Sequence, residues 1–159
     1  MNFVTIRRLC AGDEALARST FALMASVFEE EPSPISDAWL AALLSRPDFW
    51  AYVALRDNVP AGGITAHALP MTRNESVELF IYDLAVEDAS QRMGIGRMLV
   101  NTLQVDAAAQ GIGVSFVPAD QEDTGALDFY RAIGGTEASV SMFDWRTTIP
   151  KATNRPPDQ

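Results

Sequence analysis

Apolar residues along this chain follow two periods, and the switches between them mark out its elements. Residues 3–9 carry the β-branched Val4, Thr5 and Ile6 and read as a short strand. Beyond Asp13, a candidate cap, Leu16, Phe21, Leu23, Met24, Val27 and Phe28 fall mostly on one broad helical face. Glu29, Glu30 and Glu31 then run into Pro32 and Pro34, which cannot continue a helix, so a loop with acidic walls is expected. A second short helix is predicted from a Ser36 or Asp37 cap through Trp39, Leu40, Leu43 and Leu44 to the break at Pro47. Residues 50–55 and 61–69 read as the two strands of a hairpin turning at 56–60.

Residues 77–86 are apolar on both parities, with Val77, Leu79 and Ile81 expected on one face and Phe80, Tyr82 and Leu84 on the other. A strand of that kind is covered on both sides and therefore central. Residues 94–110 place Ile95, Met98, Leu99, Thr102 and Leu103 at helical spacing, and Gly111 is the natural stop. A strand at 114–117, a helix at 124–133 ended by Gly134 and Gly135, and a last strand at 140–146 complete the order. The expectation is one domain over residues 1–148 and a flexible, proline-rich tail at 149–159, with no internal repeat. Strand, two helices, three strands, helix, strand, helix, strand is the order of a mixed α/β (α+β) sheet with helices on its faces.

Composition narrows the chemistry. A chain of 159 residues can bury about two thirds of the surface its unfolded form exposes. The single Cys10 cannot form an internal disulfide, and with His67 as the only histidine no metal site built on thiolates or imidazoles is expected. The amino terminus lacks a signal-peptide pattern and no apolar run approaches the roughly 18 to 20 residues of a membrane span, so a cytoplasmic location is expected. With 21 acidic against 12 basic side chains, the net charge of −9 argues against a nucleic-acid partner and fits a small cationic one. Cys10 and His67 read as structural or incidental, and Trp39, Trp50 and Trp145 as core or interface anchors.

Two features carry chemistry. A strand that feeds a helix start through a short glycine-marked turn, as residues 81–99 do, aims free backbone N–H groups and the positive helix end at an anion such as a pyrophosphate. Gly94 and Gly96 do not complete a dinucleotide fingerprint, because Leu99 stands where a third small residue is required. The second feature is Asp83, a carboxylate inside the apolar run FIYDLAV. Desolvation there costs several kcal/mol unless the charge is paired, either with a substrate ammonium or with local backbone donors.

Gln91-Arg92-Met93-Gly94-Ile95-Gly96, preceded by the strand LAV and followed by an amphipathic helix, resembles the acetyl-coenzyme A motif of the GNAT superfamily of N-acetyltransferases. The resemblance covers most of the chain and includes Asp128-Phe129-Tyr130-Arg131-Ala132-Ile133-Gly134, similar to the family's second signature. Within the superfamily, IYDLAV, the later PAD with its acidic followers, and ALDFYRAIG look most like the aminoglycoside 3-N-acetyltransferases of the gentamicin-resistance type. Gln91 stands where arginine is common, and Pro118 and Gln121 alter the loop before the acidic cluster.

The resemblance implies a mostly antiparallel central sheet of six to seven strands flanked by about four helices. It implies acetyl-CoA held by Gln91, Arg92, Met93, Gly94, Ile95, Gly96 and Arg97, with Leu84, Ala85 and Val86 on a splayed strand pairing with pantetheine and an N–H of Leu84 or Val86 meeting the thioester oxygen. Asp83 becomes the candidate base, Glu78 its rival, and Tyr130 the candidate acid for the departing thiolate; the plain alternative for Tyr130 is packing in a helix face. Glu29, Glu30, Tyr82, Asp83, Asp120, Glu122 and Asp123 form the candidate surface for a cationic amine, although any one of the loop acids reads equally as solvated charge. The expected activity is direct acetylation of the 3-amino group of an aminoglycoside, giving antibiotic resistance. The alternatives are a polyamine, a protein lysine or N-terminal amine as acceptor, or an acyl-CoA-binding module without turnover. A homodimer through the last strand is a further expectation.

Overall fold

Asp57 and Asn58 both sit in the left-handed region, at φ 52° and 66°, which makes the two-residue turn whose twist suits adjacent antiparallel strands. They join β2 (Phe49–Arg56) to β3 (Val59–Pro70), the hairpin at the middle of the sheet. In the computed structural model, which describes residues 3–150, β1 (Val4–Arg8) pairs antiparallel with β2 and β4 (Val77–Val86) antiparallel with β3. A short β5 (Val114–Phe116) lies parallel to β4, giving the order β1-β2-β3-β4-β5.

Helices cover both faces. On one, α1 (Glu14–Val27) and α2 (Asp37–Leu44) bury Leu9, Ala17, Leu40, Leu44, Phe49, Ala51 and Val53. On the other, Ile95, Leu99 and Leu103 of α3 (Ile95–Ala109) pack on Trp50, Ile64, Leu79 and Ile81, each buried aliphatic side chain contributing about 1.5–3 kcal/mol. The Tyr52 hydroxyl donates to Asp106 Oδ2 at 2.6 Å and pins α3 to the sheet. The last helix, α4 (Thr124–Ala132), buries no residue fully. Among the described residues no helix is long and apolar enough to cross a membrane.

The mixed sheet with four α-helices is as expected, but among the described residues five strands form rather than six or seven. The missing strand is the one predicted at 140–146: the segment runs without a strand partner, so its backbone has no ladder to join. Most of the expected tail, residues 151–159, lies outside the described residues. Ser36 caps α2 as anticipated, its hydroxyl accepting from Trp39 N–H at 3.1 Å. Asp13 stands at the start of α1 but does not cap it; its carboxylate accepts from Cys10 N–H at 2.9 Å and from the Arg7 guanidinium. Gly111 and Gly134 end their helices in left-handed turns, with Ile112 N–H bonded to Ala107 O and Gly135 N–H to Tyr130 O.

Candidate active site

Strict alternation would place Asp83 beside Leu79 and Ile81 in the core. A bulge prevents it. Thr65 pairs with Asp83 and Ala66 with Ile81, so β4 carries one extra residue, Tyr82, and its phase inverts there. Leu84 and Val86 therefore join Leu79 and Ile81 on the α3 face, correcting the expectation that Leu84 sides with Phe80. Asp83 turns instead to the α1 face with Thr65, which shares its parity with Gly63; a Cβ at Gly63 would meet Met24 Sδ and Thr20 Cγ2 of α1 at 2.8 Å.

Burial raises the Asp83 pKa above the usual carboxylate range, and the nearby Glu30 carboxylate raises it further; the Thr65 hydroxyl and His67 pull the other way. Glu30 is aimed by the end of α1. Glu29 takes the left-handed position at φ 57°, and Glu30 N–H bonds back to Ala25 O at 2.9 Å. His67, expected to be structural or incidental, packs in an aromatic row: its ring centroid is 5.3 Å from Phe49 and 5.8 Å from Tyr82, and Phe80 lies 5.6 Å from Tyr82 and 5.3 Å from Phe116. Tyr82, at the bulge, is 62% exposed.

β4 and β5 are paired only at Glu78–Val114, Leu79–Ser115 and Phe80–Phe116. Among the described residues no strand lies beside β4 from Ile81 to Val86 on the edge facing away from β3, the splay that the resemblance implied. Glu78 stands in the closed part, five residues and roughly 16 Å of extended strand from Asp83.

Past β4 the chain makes a 3-10 turn, Asp88–Ser90, and enters α3 through Arg92 at φ 60° and Gly94 at φ 80°. Left-handed residues in such a turn bring successive N–H groups into one concavity that favours anions. Met98 N–H is the first amide here bonded back along the helix, to Gly94 O at 3.0 Å, and the amides ahead of it lack intrahelical acceptors. A Cβ at Gly94 would meet nothing within 4 Å, so the space over this turn is open to a ligand. Gly96 serves packing instead: a Cβ there would lie 3.1 Å from the Phe129 ring of α4.

The side chains of the loop divide their work. Gln91 folds inward, donating to Val86 O at 3.2 Å and Asp88 Oδ1 at 2.9 Å, and Arg97 donates to Ala132 O at 3.2 Å, at the negative end of α4. Arg92 makes no hydrogen bond or ion pair among the described residues, which leaves its guanidinium available beside the amides. The turn itself is held by residues that sequence reasoning missed. Arg56 donates to Ala89 O at 3.1 Å and pairs with Glu87 at 3.5 Å, while the buried Ser90 hydroxyl donates to Glu87 Oε1 at 2.6 Å. An arginine ending a hairpin strand, 33 residues before its partner, leaves no local signal.

Tyr130 is partly buried on α4 beside Phe129, with ring centroids 5.2 Å apart, and burial followed by the Asp123 charge raises its pKa. Asp123 caps α4 by accepting from Ala126 N–H at 2.9 Å, and Asp120 accepts from Glu122 N–H at 2.9 Å, so two of the three loop acids have local roles.

An anion-cradling helix start beside an unpaired strand edge suits an extended ligand with a negatively charged end. Residues 14–134 match the family model for GNAT acetyltransferases. An aminoglycoside acetyltransferase from an uncultured soil metagenomic sample, in complex with trehalose, superposes with a TM-score of 0.88 at 34% identity over 92% of this chain and 97% of that one. The same enzyme in complex with sisomicin gives 0.87 at 34% identity and the same coverage. The aminoglycoside N-acetyltransferase AAC(6')-Iy in complex with CoA is similar in fold alone, at 17% identity and a TM-score of 0.76 over 93% of this chain and 97% of that one. None of the curated proteins matches this chain by sequence. The chain belongs to the GNAT acetyltransferase family, whose members use acetyl-CoA.

Proposed function

We propose that the acceptor is an aminoglycoside and that the acetyl group passes directly to the 3-amino group of its deoxystreptamine ring, inactivating the antibiotic. The observation that carries the reading is the pair of carboxylates, Asp83 at the β4 bulge and Glu30 at the end of α1, close enough to raise the pKa of Asp83 beside the β4–β5 split. Two neighbouring acids suit a polycation, each partly exposed ion pair contributing up to about 1 kcal/mol. A relative 34% identical over 92% of this chain has been crystallised with sisomicin, which supports an aminoglycoside. The ring position rests on the likeness of IYDLAV and ALDFYRAIG to the 3-N-acetylating enzymes.

In this reading bound acetyl-CoA supplies the acetyl thioester. Asp83, with its raised pKa, takes the proton that the ammonium must lose before its nitrogen can form the new N–C bond. An N–H of Leu84 or Val86 on the open edge of β4 donates to the carbonyl oxygen as charge develops there. Tyr130, protonated well beyond neutral pH, gives its proton to the sulfur as the C–S bond breaks, and the second proton that the nitrogen sheds on becoming an amide restores the phenol. Cys10 is exposed and takes no part, since direct transfer needs no covalent enzyme intermediate.

The test is thiol release from acetyl-CoA with gentamicin, sisomicin, kanamycin, spermidine and a lysine peptide, followed by NMR assignment of the product. Turnover with gentamicin and an acetyl group on N3 is expected. Turnover confined to spermidine or the peptide would sink the acceptor, and acetylation at another nitrogen would sink the ring position.

A further inference from the structure

The turn between β4 and α3 is fastened from outside itself. Glu87 is the last residue that the sheet holds, its N–H bonded to Ala61 O at 3.0 Å. The Ser90 and Gln91 amides then close the 3-10 turn on Glu87 O and Asp88 O at 2.9 and 3.3 Å, and the Arg92 amide is the first with no acceptor among the described residues. A single 3-10 turn is weakly bonded and does not by itself fix the direction of the amides that follow it.

Arg56 reaches that turn from the end of β2. Its Nη1 donates to Ala89 O at 3.1 Å and lies 3.8 Å from Met93 Sδ, so one guanidinium touches the chain on both sides of the left-handed Arg92. Its Nη2 faces Glu87 Oε1 at 3.5 Å, the same oxygen that accepts from the buried Ser90 hydroxyl at 2.6 Å. A trans peptide sets its C=O and N–H on opposite sides, so a donor that takes the carbonyl also sets where the adjoining amide faces. The planar fork serves these acceptors together, which an ammonium cannot do. Glu87 raises a question of sign: a carboxylate beside an anion site repels the anion, and by charge alone the turn would bind better without it. Its presence is intelligible if it holds Arg56 and Ser90 in place.

We propose, on the reading that the amides of residues 92–97 take the pyrophosphate of acetyl-CoA, that Arg56 and Glu87 are positioning residues for the cofactor. Glu87 gathers Arg56 and Ser90 on one oxygen, and Arg56 holds the turn in the shape that aims those amides at the diphosphate. Both side chains are partly exposed and lie outside the two buried clusters, so either can be replaced without opening the core.

Calorimetry with CoA tests the role through the sign of the effect. Glu87→Gln keeps the shape and removes the repelling charge, yet its Kd for CoA is expected to rise about 3–10-fold, the reverse of what charge removal alone would do. Arg56→Ala is expected to raise Kd about 10–100-fold, with Arg56→Lys recovering part of the loss. The double variant Arg56→Ala with Glu87→Gln should bind no worse than Arg56→Ala alone, because the two changes break one unit. CoA binding by Glu87→Gln as tight as wild type or tighter, or unchanged binding by Arg56→Ala while Arg92→Ala and Gly94→Ala are impaired, would overturn the positioning role and leave the anion cradle standing. Unchanged binding by Arg56→Ala, Arg92→Ala and Gly94→Ala alike would overturn the cradle, and the positioning role with it.

Discussion

Thr65 and Asp83 stand opposite one another across the β3–β4 ladder at the last pair before the register slips. The slip turns the carboxylate away from Leu79 and Ile81 and towards α1, where burial first, and then the Glu30 charge, raise its pKa.

Replacement of the carboxylate should separate chemistry from binding. Asp83→Asn keeps the shape and the bulge but cannot take a proton, so kcat/KM is expected to fall about 10²–10⁴-fold while CoA affinity by calorimetry is unchanged. An equal loss of CoA affinity would show Asp83 to be structural.

The same variant has a signed effect on stability. Because its native pKa is raised, Asp83 holds its proton better when folded, so its favourable contribution is complete below the unfolded value and is lost as pH rises through the native one. Asp83→Asn should therefore melt above wild type at about pH 8, with the gap closing towards about pH 4. A gap that widens on acidification would refute the raised pKa.

Glu29 occupies a left-handed position at φ 57° that suits glycine, and a side chain there costs about 1–2 kcal/mol. Glu29→Gly should raise the free energy of unfolding measured in urea by roughly 1 kcal/mol, offset in part by the greater freedom of the unfolded chain. If Glu29 also holds the acceptor amine, KM for gentamicin should rise while kcat is retained.

The periodicity of Ile95, Leu99 and Leu103 and the glycine stops were enough to read α3 and α4, because they are local effects. Asp83 was legible as an anomaly, a charge in an apolar run, but its direction was not. Alternation alone assigns it to the core, and only the pairing of β3 with β4 reveals the extra residue at Tyr82. His67 read only as structural or incidental for the same reason: the neighbours it packs against, Phe49 and Tyr82, come from other strands. The loop motif showed where an anion would sit but not what holds the loop, since Arg56 arrives from β2. Residues 140–146 have a strand's sequence without a strand's partner among the described residues, and propensity cannot supply the partner.

Tyr130 should act through its proton. Tyr130→Phe preserves the packing on Phe129 and is expected to lower kcat about 10²–10⁴-fold with KM for acetyl-CoA unchanged. Because burial raises the wild-type pKa, the loss of activity at high pH due to this hydroxyl should begin above the ordinary phenol range and be absent from the variant. Near-wild-type kcat in Tyr130→Phe would leave the residue with packing alone.

Gly94 and Gly96, two residues apart in one motif, should fail in different ways. At Gly94 there is room for a methyl group but φ is 80°, so Gly94→Ala strains the backbone by about 1–2 kcal/mol and tilts the amides meant for the pyrophosphate. CoA affinity is expected to fall while Tyr130 stays in place. At Gly96 the backbone is ordinary, but a Cβ would stand 3.1 Å from the Phe129 ring, so α4 must give way and take Tyr130 with it. Gly96→Ala is expected to destabilise the fold by about 1–3 kcal/mol and to lower kcat more than it weakens CoA. Calorimetry with CoA beside steady-state kinetics distinguishes the two, and an identical loss of affinity in both variants would mean that Gly96, too, lies under the cofactor.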